Sequence, residues 1–160
     1  MSARLHVRMP LRDGWEDLAD GPAATESSAG TTILRRRYRR DGRVLAAASI
    51  EVLDAEGATP ADFAAEAEAG AQAASGSPWR RSVVVDSEAE PVRVVVHDLD
   101  AVATASGAPP TLRRAASLTW FLTPDLCLQL RLVADDLLVI GDLGEAVREL
   151  ADTVEWEVLA

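Results

Sequence analysis

The stretch TTILRRRYRRDGRVLAAASIEVL, residues 31–53, decides how this chain is read. Asp41-Gly42 lies between two runs of strand-forming residues. That dipeptide tolerates positive φ at both central turn positions, as a type I′ hairpin turn requires. Strands are therefore expected over residues 31–40 and 43–53. A two-residue loop pairs Arg39 with Val44, Arg37 with Ala46, Arg35 with Ala48 and Ile33 with Ile50. The opposite face then carries Tyr38 with Leu45 and Leu34 with Ser49.

Downstream of the hairpin, Thr59 caps a helix, Pro60 suits its first position, and Asp62 completes a capping-box pattern that favours the positive helix N-terminus. Gly76-Ser77-Pro78 stops this helix, and Phe63, Ala67, Gly70, Ala71 and Ala74 form its inner stripe. Valine-rich strands are expected over 79–86 and 92–99, and alternating strands over 114–122 and 126–133. Ala116, Leu118, Trp120 and Leu122 share a face, as do Leu126, Leu128, Leu130 and Leu132, so these two strands form an antiparallel pair with an apolar side. Residues 137–140 read either as a short strand or as the approach to a last helix. Asp142 and Glu145 open that helix, Leu143, Val147, Leu150 and Val154 form its stripe, and Trp156 packs the terminus down. Upstream, Leu5, Val7 and Met9 alternate with His6 and Arg8 in a strand that Pro10 ends. Residues 13–30, with Trp15 and Leu18 as their large side chains, read as a loop that is mobile around 16–30.

One hundred and sixty residues, 48% hydrophobic and 26% charged, suit a single domain spanning 1–160. Twenty-six acids against sixteen bases give a formal charge of −10, which a phosphate backbone repels, so nucleic-acid binding is not expected. Every base is an arginine. A single cysteine, Cys127, excludes an intramolecular disulfide and a multi-cysteine zinc site. No apolar stretch approaches the ~20 residues needed to cross a bilayer, and the first residues hold no apolar signal segment. Membrane insertion is not expected, and the cytoplasm is the expected compartment.

The order strand, long loop, hairpin, helix, antiparallel strands and closing helix resembles the PsbP-like fold family, which includes a photosystem extrinsic subunit, a Ran-binding nuclear transport factor and small actinobacterial proteins. The residues that carry the resemblance are Pro10 with Gly14-Trp15, Thr59-Pro-Ala-Asp-Phe63, and the closing segment from Leu143 to Trp156. It implies an α+β fold, an antiparallel β-sheet of about six strands flanked by helices as an α/β/α sandwich. It also implies a non-catalytic binding scaffold, and the family offers no catalytic residues to carry over.

The most unusual local feature is the basic run Arg35-Arg36-Arg37-Tyr38-Arg39-Arg40, continued by Arg43. Arg35, Arg37, Arg39 and Arg43, with Tyr38 alongside, are candidates for an anion- or acidic-partner-binding patch over a small-residue floor. The plain alternative is a solvated hairpin whose arginines pair with the protein's own acids. Trp15 reads as a core anchor or as the lining of a groove. His97-Asp98-Leu99-Asp100 suggests a metal-dependent hydrolase, but alternation sends His97 and Asp98 to opposite faces, and the other histidine, His6, lies on a different strand. Cys127 reads as a small buried residue. Neither a nucleophile elbow nor a glycine-rich phosphate loop occurs. No cofactor, metal or enzymatic activity is expected. The leading reading is a protein-binding accessory or chaperone, as in a secretion system, acting through the sheet face or the hairpin. A small apolar-ligand carrier with a cavity under the alanine-rich helix is the alternative, and a homodimer would close any bare sheet edge.

Overall fold

The computed structural model describes residues 4–18, 31–73, 80–102, 111–134 and 142–159. The chain runs β1 (Arg4–Arg8), β2 (Trp15–Asp17), β3 (Thr31–Arg40), β4 (Arg43–Asp54), α1 (Pro60–Ala73), β5 (Arg80–Asp86), β6 (Arg93–Val102), β7 (Thr111–Thr123), β8 (Leu126–Ala134), α2 (Leu143–Ala151) and β9 (Glu155–Leu159). Seven strands form one sheet in the order β2-β3-β4-β8-β7-β6-β5, and β1 pairs with β9 in a second. Every pairing is antiparallel. The α+β class is as expected, but the sheet of about six strands becomes one of seven beside a second of two, and the seven strands named from the sequence become nine. The two short additions, β2 and β9, come from segments read as a loop and as a packed terminus. Of the expected mobile loop, residues 16 and 17 belong to β2, and 19–30 lie outside the described residues, as do 137–140 and Trp79.

Asp41 and Gly42 take φ of 50° and 77° and close the expected hairpin, with Arg39 opposite Val44. Beyond that pair the expected register fails. Tyr38 stands opposite Ala46, Arg36 opposite Ala48 and Leu34 opposite Ile50, with shifts at Tyr38/Arg39 and at Thr32/Leu34. Leu45 is the extra residue on β4 and Ile33 the extra residue on β3, and both are buried. The first bulge moves β3 by one residue and so exchanges its faces. Arg35 and Arg37 therefore leave the face of Ala46, Ala48 and Ile50, and Leu34, Arg36 and Tyr38 take it.

That face is the core. Leu34, Ile50, Leu130, Leu118, Val95 and Val84 form one row across six strands, each opposite the next. Helix α2 lays Leu143, Val147, Leu150 and Ala151 against this side, and Leu5 and Val7 of β1 join it with Met9 just beyond. Asp142 caps α2 by accepting from the Glu145 N–H at 3.0 Å. Helix α1 packs on the opposite face, over β5 and β6, with Phe63, Ala64 and Ala67 against Val83, Val94, Val96 and Phe121. Gly70, expected on the inner stripe, is exposed, and Ala64, which was not, is buried. The capping box is present: Thr59 N–H donates to Asp62, and Asp62 N–H to the Thr59 hydroxyl.

Arg36 is 7% exposed in the core, and each of its three guanidinium nitrogens donates a hydrogen bond. Nε donates to Asp17 Oδ1 at 2.7 Å, Nη1 to the Pro10 carbonyl at 3.0 Å and Nη2 to the Met9 carbonyl at 2.7 Å. Removing it orphans two main-chain acceptors and a junction between sheets. R36A should lose about 2–4 kcal/mol in urea unfolding, and R36K should fall between it and wild type because an ammonium cannot reproduce the fork. R35A, on the exposed face, should stay within about 0.5 kcal/mol.

Candidate functional site

Helix α1 covers only part of its face. It packs on β5, β6 and Phe121 near the end of β7, and leaves Arg35 on β3 and Arg131 on β8 exposed. Alternation brings a second set of residues there. Arg35, Ser49, Arg131 and Ser117 stand in one row, Thr32, Glu51, Gln129 and Thr119 in the next, and Arg37, Ala47, Val133 and Ala115 on the other side. Arg35 and Arg131 are exposed and lie two strands apart with Ser49 between them, a separation of roughly 10 Å between main chains. Neither forms an ion pair among the described residues.

A groove of about 520 Å³ runs between this surface and α1, lined by Phe63, Ala67 and Gly70 on the helix and by Ser117, Gln129 and Arg131 on the sheet. Arg81 also lines it; this side chain holds Asp98 with two hydrogen bonds of 2.6 and 3.0 Å and donates to the Ala67 carbonyl at 2.9 Å. A neighbouring hollow of about 490 Å³ continues past Phe63 toward Leu53 and Cys127. The space foreseen beneath the alanine-rich helix is present, but it is an open groove with charged walls rather than a closed apolar cavity.

The expected arginine patch is divided. Arg35 faces the open surface, and Arg43 is exposed at the turn opposite Arg40. Arg37 and Arg39 both donate from Nε to Glu16 of β2, and Arg39 also donates to the Gly42 carbonyl. Tyr38 turns to the other face, where its ring meets Trp15 at 5.5 Å between centroids. Both line a smaller groove of about 200 Å³ beside α2 and also pack against the core. Gly14 takes a φ of 85°, and a Cβ there would run into the Tyr38 ring, so this corner requires glycine. Arg131, Ser49 and Ser117 escaped the sequence reading. The polar positions alternating with leucines in residues 126–132 were the available signal.

His97 pairs with Ala116 on the core side, whereas Asp98 turns to Arg81 under α1; His6 lies in the second sheet opposite Glu157. Among the described residues, no three His, Cys, Asp or Glu side chains come together as a metal site. Cys127 is buried as expected, and desolvation, with Asp54 nearby, pushes its thiol up to about 11, so the nucleophilic thiolate is scarce at neutral pH. No described helix is long and apolar enough to cross a membrane. Comparison with family models and with curated proteins returns no match.

Hydrogen bonds from Arg39 and Arg37 hold the Glu16 carboxyl below its ordinary value of 4.5. A carboxyl lowered in the folded state stabilises the fold above its unfolded pKa, and that contribution is lost as pH falls through the folded value. Urea unfolding should therefore separate wild type from E16Q at about pH 6 and bring them together as the pH is taken below the folded pKa.

Proposed function

We propose that this chain is a non-enzymatic binding protein that receives a carboxylate-bearing protein segment on the open face of its seven-stranded sheet. The observation that carries this reading is the pair of exposed guanidiniums, Arg35 and Arg131, set across Ser49 where α1 does not reach. A guanidinium offers a planar fork that matches a carboxylate, and hydroxyls between two such forks supply further donors. The net charge of −10 repels acidic partners at long range, so recognition rests on close contact rather than on steering. The PsbP-like order of elements, with helices on both faces of an antiparallel sheet, supports a scaffold role, and a fold with no disulfide of its own is compatible with the cytoplasm. An accessory or chaperone of a secretion system is one form of that role.

Affinity capture on immobilised wild type and on R35A/R131A, followed by titration of the retained protein, tests this. Losing two charge-assisted contacts should weaken binding by about 100-fold or more, while R43A should retain it. Equal retention by wild type and the double variant would refute the assignment.

The groove of about 520 Å³ favours a second reading, a small ligand with both apolar and charged groups seated beside Phe63 and Arg131. At Gly70 an added Cβ meets only the Arg81 guanidinium, at 3.5 Å, so G70L would fill the groove without disturbing the main chain. In a thermal-shift screen a true ligand should raise the Tm of wild type and leave that of G70L unmoved.

A further inference from the structure

We propose that the outer edge of β5 pairs with the same edge of a second copy, so that two chains form one continuous antiparallel sheet about a two-fold axis. Strand β5 ends the seven-stranded sheet, and no described strand pairs with its outer side. An edge row of unpaired N–H and C=O groups is a template for another strand unless charge, proline or a covering element blocks it. The central residues of this edge, Val83-Val84-Val85, contain neither charge nor proline. Of the four exposed large hydrophobics among the described residues, two are adjacent here: Val84 at 43% and Val85 at 39% exposure.

Val84 is also the open end of the apolar row Leu34, Ile50, Leu130, Leu118 and Val95. Among the described residues that row begins at the partly buried Leu34 and stops in solvent at Val84. The strand is self-complementary about Val84. With Val84 opposite its own copy, Val83 meets Val85 of the second chain, and the Ser82 hydroxyl meets the second chain's Asp86 carboxylate. No like charges oppose each other. Asp86 already accepts from Arg93 and Arg148, so it is held as a fixed acceptor at the rim. Moving the axis to Val85 would set Asp86 against Val84, and moving it to Val83 would set Arg81 against Val85; the axis at Val84 avoids both.

Helix α1 lies over β5 and β6, so the same axis places the two copies of α1 roughly 10 Å apart, two strand spacings, which is an ordinary helix-packing distance.

Light scattering of the full chain over a concentration series should give twice the chain mass of 17.0 kDa. V84K sets two cations face to face on the axis and should run at the single-chain mass with an unchanged far-UV spectrum, and its Tm should not depend on concentration, whereas that of the wild-type dimer should rise with it. Mild oxidation of V84C should yield a covalent dimer, because residues directly opposed across antiparallel strands lie within disulfide reach. S82C should not crosslink, its two copies being four register positions apart. A single-chain mass for wild type at every concentration would overturn the proposal. So would a V84K protein that remains dimeric, or equal crosslinking of S82C and V84C.

Discussion

A guanidinium removed from water must find acceptors, and Arg36 finds three where two sheets meet. One is a carboxylate on β2, the edge strand. The other two are main-chain carbonyls just past β1, which belongs to the second sheet. The side chain thus joins the short edge strand and the N-terminal strand to the middle of the hairpin. Because β1 pairs with β9, the C-terminal strand is tied into the same junction. A hydrocarbon at position 36 would fill the space but would leave the Met9 and Pro10 carbonyls without these donors. The register of β3 is therefore not a matter of hydrophobic pattern alone. It must deliver position 36, rather than 35 or 37, to the interior.

That requirement shows what could and could not be read from the chain. The turn at Asp41-Gly42, the capping residues Thr59, Asp62 and Asp142, and the leucine-bearing pair β7 and β8 follow from local chemistry, and all were legible. The bulges at Leu45 and Ile33 were not. In a run of six residues containing five arginines, hydrophobic alternation carries little information, so a two-residue loop extrapolates to the wrong face within two pairs. Strand β9 was illegible for a different reason: its partner β1 lies at the other end of the chain, and five residues with two glutamates give no strong period. For the candidate site, Arg35 was among the residues named from sequence. Arg131, Ser49 and Ser117 were not, because they come together only through the strand order β3-β4-β8-β7.

The two sheet faces differ because the strands alternate throughout their length. In β8, Leu126, Leu128, Leu130 and Leu132 serve the core, while Cys127, Gln129 and Arg131 serve the other side. The second face cannot bury a full layer. Its side chains over β4 and β8 are short or polar, and a helix laid there would cover charges without satisfying them. Helix α1 stays over the valines of β5 and β6 and is fastened at its inner edge by Arg81, which binds the helix main chain and Asp98 together. Its alanines bring it close to the sheet but do not extend it sideways. The open surface is thus a consequence of side-chain choice on four strands.

Among the described residues, the unpaired edge and the open face lie at different ends of the sheet. The two-fold axis proposed at the β5 edge would place two Arg35–Ser49–Arg131 rows on equivalent faces, their β8 strands seven spacings apart, roughly 35 Å along the sheet. Neighbouring strands turn by roughly 20–25° relative to one another, so across seven spacings the two rows would point to nearly opposite sides. Each copy would therefore take its own acidic segment, and one partner could not bridge both rows. Under that arrangement the close-range hydrogen bonds of each row alone must outweigh the long-range repulsion of an acidic chain.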